Sequence, residues 1–293
     1  MESPFVRVPG DTCPERGVAV LNEAVSRLGF YERIHMRHRR WRYAYKSEKP
    51  SIAFLRSLDL HGQTLIDVGA NWGVYTWIMS ECAGPGGSVF SFEPQPELNA
   101  HLLAMKRSFG LHNVTITGEG LSSVPATLAM QRPKVGSGEA GVNLPEGTFD
   151  DVIDVPVTTL DRFLQAAQQR PIAFIKADVQ GHEFEVFSGA RETIAQHKPV
   201  LLFELYDYEA DRGDIFSLLS NLGYAGWFYN VAPDDHRNLY RNGRGEFVDY
   251  SGYRSHSNVR EGLDFRNYFF AHKDSAVCQA ISKRVGQELS SAA

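Results

Sequence analysis

The stretch Thr64-Leu-Ile-Asp-Val-Gly-Ala-Asn-Trp-Gly73 constrains the fold more than any other. A short run of core-type residues enters a turn bracketed by two glycines and leaves it into the amphipathic segment Val74-Tyr-Thr-Trp-Ile-Met-Ser80. Strand, tight turn and helix start, in that order, make a cavity where backbone N–H groups meet a ligand at a helix N-terminus. Gly69 and Gly73 permit positive φ or close approach of the backbone, and Asn71 either caps the following helix or bonds a ligand.

Asp67 selects the ligand. A carboxylate at the carboxyl end of the strand repels a pyrophosphate and suits a cationic amino acid or a hydroxyl-rich sugar. A second unit, Ser88-Val-Phe-Ser-Phe-Glu93, ends in an acid placed to take the two hydroxyls of a ribose. The pairing points to S-adenosylmethionine rather than NAD. A nicotinamide enzyme would want G-x-G-x-x-G after the first strand, where this chain has Gly69-Ala-Asn-Trp-Gly73 behind an acid.

From Thr64 onward strands and helices alternate, the pattern of a doubly wound parallel sheet. The periodicity predicts strands at 64–68, 88–93, 113–117, 152–157, 172–178, 200–204, 224–229 and 266–272, with helices at 73–83, 96–109, 160–168, 183–197 and 213–222. A Gly-rich stretch at about 131–150 interrupts the alternation. The third strand leads to Thr117-Gly-Glu-Gly-Leu121, where Glu119 and Leu121 are placed to flank an adenine ring. Asp178 closes an otherwise apolar strand apart from Lys176, and Glu204 ends the next, with Tyr206, Asp207 and Tyr208 beyond. Carboxyl ends of parallel strands face the ligand crevice. Two uses fit such a pair of acids: positioning and deprotonating a hydroxyl, or holding a divalent cation. His182, beside Asp178, titrates near neutrality and is a candidate base.

The flanks differ from this core. Residues 1–50 read as a helical and basic extension, a lid or a dimer arm, with a helix from about Glu15 to Gly29. Then comes Tyr31–Lys46, which carries six Lys/Arg, two His and four aromatics; the alternation of Trp41, Tyr43 and Tyr45 suggests that part of it is extended. Residues 51–274 form the main domain, with a substrate-side insertion at 231–265, and 275–293 reads as a flexible tail. A net charge of −5 argues against a surface built for phosphate backbones, so a nucleic-acid partner is not expected. The three cysteines have no metal-ligand spacing. No apolar run approaches the ~20 residues of a membrane span, and the start lacks a basic region followed by an apolar one, so the expectation is a cytoplasmic protein without a membrane partner.

Taken together, Asp67-Val-Gly-Ala-Asn-Trp-Gly73, Phe92-Glu-Pro94, Thr159-Leu-Asp161, Ile175-Lys-Ala-Asp-Val-Gln-Gly-His-Glu183, Gly189-Ala190 and Pro199-Val-Leu-Leu-Phe-Glu204 resemble the FkbM family of S-adenosylmethionine-dependent methyltransferases. The resemblance implies a class I methyltransferase fold: a Rossmann-like, seven-stranded α/β sheet, mostly parallel with an antiparallel last strand. It also implies O-methylation of a hydroxyl on a sugar or natural product, as in secondary metabolism. The family's cofactor loop falls on Asp67, Gly69, Asn71 and Gly73, and its ribose acid on Glu93. Where the family usually has Ile-Asp-Val-Glu-Gly, this chain has Ala177 and Gln180, so a neutral amide replaces a carboxylate and the divalent metal stays open. Asp178 is counted both with the cofactor set and, with His182 and Glu204, as a catalytic candidate. The competing readings are a non-catalytic cofactor-binding module, hinted at by Gln180, and a nucleic-acid methyltransferase, hinted at by segment 31–46.

Overall fold

The computed structural model describes residues 27–142, 144, 146–166, 171–206, 212–231, 245–249 and 265–291. Helix α1 (Phe30–Arg42) continues through a π-helical turn (Tyr43–Ser47) into α2 (Lys49–Ser57). Then follow β1 (Thr64–Val68), α3 (Val74–Ala83), β2 (Ser88–Phe92), α4 (Pro96–Phe109), β3 (Val114–Thr117), β4 (Gly120–Leu121), β5 (Ala126–Arg132), β6 (Asp151–Thr158) and α5 (Leu160–Ala166). The chain goes on through β7 (Ile172–Ala177), α6 (Glu183–Ser188), α7 (Arg191–His197), β8 (Val200–Tyr206), α8 (Arg212–Asn221), β9 (Tyr224–Val231), β10 (Gly245–Asp249), β11 (Phe265–His272) and α9 (Ala276–Ser291).

The main sheet has the order β10-β9-β11-β8-β7-β1-β2-β3. β3, β2, β1, β7 and β8 pair in parallel, and β11 runs antiparallel between β8 and β9. The expected doubly wound sheet with a reversed last strand is therefore present, enlarged by β10, an edge strand from inside the predicted insertion. β1 is buried at all five positions because helices cover both faces. Leu65, Val89, Phe174, Leu202 and Phe269 pack under α1–α4 and α9, while Ile66, Val68, Ile175, Leu201 and Phe203 pack under α5–α8. The strand order reverses between β1 and β7, which opens the crevice at their carboxyl ends.

Several sequence expectations give way. The strand expected at 152–157 is β6, and it belongs to a second, three-stranded sheet of order β4-β6-β5 rather than to the main one. The single helix expected over 183–197 breaks in two. Asp161 supplies a new N-terminus, its Oδ1 accepting the Thr193 N–H at 2.8 Å and its Oδ2 the Glu192 N–H at 3.0 Å. Segment 31–46 is helical throughout, passing at Tyr43 from an α-helix into a π-turn, so none of it is extended. The tail expected to fray forms α9, which buries Cys278 and Ile281. The helix expected from Glu15 to Gly29 lies almost wholly outside the described residues, as do Cys13, Asp207 and Tyr208 and most of 231–265.

Candidate active site

β1 and β7 pair so that Asp67 lies opposite Lys176. Successive strand residues face opposite sides of a sheet, and Asp67 shares the side of Leu65, under α3. Its carboxylate is fully buried there. Oδ2 accepts the Thr76 hydroxyl at 2.6 Å, and Oδ1 lies 3.7 Å from the Lys176 ammonium. Burial raises the Asp67 pKa against the opposing pull of Lys176. Asp67 lines neither of the two cavities at the strand ends. Strand alternation turns this expected cofactor acid under the loop, beside Lys176, with its Oδ1 left without a hydrogen-bond partner.

Lys176 ties the two strand-end loops together. Its Nζ donates to the Gly69 carbonyl at 3.1 Å and stands 3.4 Å from Asp178 Oδ2. Burial works against its charge, but Asp178, Asp67 and Glu204 together raise its pKa. Gly69 is where those loops touch. It has φ +72°, and a Cβ there would sit 2.0 Å from the Asp178 carbonyl oxygen. Gly73, at φ +79°, also lines neither cavity; it opens α3 against Leu102 and Met105.

The first cavity, of about 660 Å³, lies at the ends of β1 and β2 beneath the small sheet. Leu128 and Met130 of β5 and Val155 and Val157 of β6 reach it by the two-residue periodicity of their strands. Leu121 joins this apolar wall, and the Gly-rich stretch closes it with Gly138, Ala140 and Val142. On the polar side stands Glu93. Its Oε2 accepts the Asn71 N–H at 2.8 Å and its Oε1 the Gln95 N–H at 3.0 Å, leaving each oxygen one further lone pair. Burial pushes its pKa up to about 7 despite these bonds. Asn71 Oδ1 and Gln95 Oε1 are buried acceptors without a hydrogen-bond partner, the kind of orphan that a bound ligand satisfies.

The second cavity, of about 600 Å³, lies beside the first and shares Gly69, Asn71 and Asp178 with it. It is rich in carboxyl groups: Glu48, Asp178 and Glu204 surround Lys176, with Tyr43 and Tyr75 nearby. Glu48, in the link between the π-turn and α2, accepts both the Tyr75 hydroxyl and the Asn267 amide at 3.0 Å through Oε2. Burial raises it to about 7. Burial and the neighbouring Asp178 and Glu48 carry Glu204 well above the usual carboxylate range. Asp178 Oδ1 accepts the Gln180 amide at 2.8 Å. Glu183 braces the same loop by accepting the N–H groups of Val179 and Gly181.

The expected site residues therefore separate. Of the residues proposed from sequence for the cofactor, Gly69, Asn71, Glu93, Leu121 and Asp178 line the first cavity and Glu119 does not. The chain bends after β3 into the small sheet, so Gly120 and Leu121 face the cavity in its place. The structure does not bring the three catalytic candidates together. His182 lines only the first cavity, its Nε2 3.0 Å from the Ser122 hydroxyl and its pKa lowered by burial. Glu204 lines only the second, and Asp178 stands in both. The sequence reading missed Tyr43, Glu48 and Asn267, which come from distant segments, and gave Lys176 no role. An isolated lysine in an apolar strand was the one available signal. Among the described residues no group of three or more His, Cys, Asp or Glu is placed to hold a metal ion.

These residues suit S-adenosylmethionine. Apolar walls face a flat base, Glu93 can take ribose hydroxyls, and the orphaned oxygens of Asn71 and Gln95 offer acceptors to its N–H or O–H groups. Among solved structures the chain is similar to a methyltransferase FkbM from Methylobacillus flagellatus, with 19% identity and a TM-score of 0.44 over 72% of this chain and 44% of that one. It thus spans under half of that protein's length. It is also similar to a SAM-dependent O-methyltransferase from Thermotoga maritima (16% identity, TM-score 0.41, 76% of this chain and 64% of that one). A third likeness is to fibrillarin from Aeropyrum pernix with natively bound S-adenosyl-L-methionine (13%, TM-score 0.39, 78% and 75%). No curated protein matches the chain. The sequence model of the methyltransferase FkbM domain matches residues 67–225, from the carboxyl end of β1 into β9, and the chain belongs to the FkbM methyltransferase family.

Proposed function

We propose that the protein transfers a methyl group from S-adenosylmethionine to a hydroxyl of a small acceptor, a sugar or a natural product, seated in the second cavity. The observation that carries this reading is the junction of the two cavities at Gly69, Asn71 and Asp178. A ligand with its nucleoside in the apolar cavity reaches the carboxyl-rich one only across those residues.

When bound, the cofactor supplies a methyl group on a positively charged sulfur. The protein's task is to hold an acceptor oxygen in line with that methyl, and positioning of this kind is worth about 7–11 kcal/mol. Lys176 and Gln180 fix the Asp178 carboxylate at the junction, where it accepts the hydroxyl proton as the new bond forms. Glu204, with its raised pKa, keeps its proton near neutrality and donates a hydrogen bond to the acceptor. Tyr43, Tyr75 and Asn267 present further polar groups to a polyol. His182, on the far side of the junction, serves the cofactor side of the site rather than proton removal.

The test is to incubate the protein with methyl-labelled cofactor and a panel of sugars, polyols and phenols, and to follow S-adenosylhomocysteine together with labelled product by mass spectrometry. The reading expects an O-methyl ether from wild type and at least about a hundredfold less from Asp178→Asn. Label found only on nitrogen, or only on RNA, would remove the hydroxyl acceptor from the account.

A further inference from the structure

Among the described residues, helix α1 leaves an apolar stripe exposed. Phe30, Ile34 and Trp41 recur at spacings of four and seven along one stripe, with Tyr31 beside them and Tyr45 of the π-turn at the end. They are 65%, 43%, 46%, 79% and 58% exposed, respectively. The opposite face is what holds the helix to the domain. Met36 is buried, Arg39 lies 4.5 Å over the ring of Trp72, and Arg40 pairs with Glu81 and lies 5.0 Å over Trp77. The outward stripe is therefore not needed to dock the helix. Burying it in the domain would have favoured folding, as contiguous apolar patches are rare on monomers unless something binds there.

Its charge says what binds. Arg33, Arg42 and Lys46 neighbour the stripe, Arg37 reaches over the Phe109 ring at 5.5 Å, and the only acid of the helix, Glu32, is committed to the Gly29 N–H at 2.6 Å. A chain of net charge −5 thus places basic groups beside this exposed apolar stripe. A second copy of the chain fits poorly, because a two-fold contact would set the same basic groups against one another. Aromatic and aliphatic side chains rimmed by Arg and Lys, on a helix lying flat on a domain, match a surface that is apolar beneath and anionic above.

We propose that α1 and its π-turn dock the protein onto an anionic phospholipid surface, with Phe30, Ile34, Trp41 and Tyr45 entering the headgroup boundary. This contact is peripheral, since no helix of the described residues is long and apolar enough to cross a membrane. It also has a bearing on the site. Tyr43 and Glu48, next in the chain, line the second cavity, and Trp72 under Arg39 lines it too, so a docked molecule holds its acceptor cavity close to the lipid surface.

Co-sedimentation of the full chain with vesicles tests the proposal. Partition to vesicles of phosphatidylglycerol and phosphatidylcholine should exceed partition to pure phosphatidylcholine at least about tenfold, and should weaken as salt rises. The double variant Phe30→Ser, Trp41→Ser changes only exposed positions. It should lose about tenfold or more in vesicle affinity, with melting temperature and S-adenosylhomocysteine affinity unchanged. The proposal fails if wild type binds neither vesicle, if it binds both equally, or if the variant binds undiminished. It fails equally if the variant abolishes a dimer or the retention of RNA while leaving vesicle binding intact. Because affinity for S-adenosylhomocysteine is read separately, loss of docking is not confused with failure of the cofactor site.

Discussion

The two cavities share a rim and differ in almost everything else. The first is walled by valine, leucine and methionine and, apart from the shared Asp178, has one partly committed acid, Glu93. The second gathers three carboxyl groups around one ammonium. All residues lining the first lie within the stretch matched by the family model, whereas Tyr43, Glu48 and Asn267 of the second lie outside it. A site that reads a ligand common to a family belongs in the shared part, and one that reads an individual acceptor is free to recruit side chains from flanking segments. The difference supports the proposed division, with cofactor in one cavity and acceptor in the other.

The largest effect on this arrangement should come from the rim itself. Gly69→Ala forces a Cβ against the Asp178 carbonyl at a backbone angle that favours glycine. It should cost about 2–5 kcal/mol in stability, seen in denaturant melts, and should impair both cavities together. A variant as stable as wild type would mean that the two loops do not touch. Next in size, Asp178→Asn should lower turnover by about 10²–10⁴-fold while S-adenosylhomocysteine still binds. Parallel losses of binding and turnover would move Asp178 wholly to the cofactor side.

Smaller effects come from protonation. A ribose bond needs the Glu93 carboxylate, whose pKa burial has raised to about 7. Cofactor affinity should therefore fall by up to about tenfold per unit as pH drops below 7, and calorimetric enthalpies should depend on the buffer. Glu93→Gln should bind weakly at every pH. For stability the direction is opposite. Glu48 and Glu93 bind protons more tightly folded than unfolded, so their contribution is full below about pH 4.5 and is lost as pH rises through about 7. Equilibrium melts from pH 5 to 9 should show a decline that is shallower in Glu48→Gln. The smallest change in the comparison should be the acceptor KM of Glu48→Gln, raised a few-fold to tenfold with cofactor affinity untouched.

Much of the first cavity was legible in the sequence because it rests on local features. A strand running into Gly69-Ala-Asn-Trp-Gly73 and an acid at the end of the next strand are contiguous patterns, and the crevice follows from parallel topology. The small sheet was not legible. Its strands are amphipathic, and the Gly-rich stretch between them resembles a loop by composition although it closes the cavity. The surroundings of Asp67 were hidden for a related reason: the motif tells that an acid ends the strand, but only the pairing of β1 with β7 sets it against Lys176. Glu48 and Asn267 stand 219 residues apart in sequence, and no local pattern announces a hydrogen bond of that range.

The division of labour between the cavities is tested most directly by titrating S-adenosylhomocysteine calorimetrically into wild type, Glu93→Ala and Glu48→Gln at pH 8. The account predicts at least a tenfold loss of affinity in Glu93→Ala, from two lost charge-assisted bonds, and affinity within about twofold of wild type in Glu48→Gln. Unchanged binding in Glu93→Ala, or an equal loss in both variants, would contradict it.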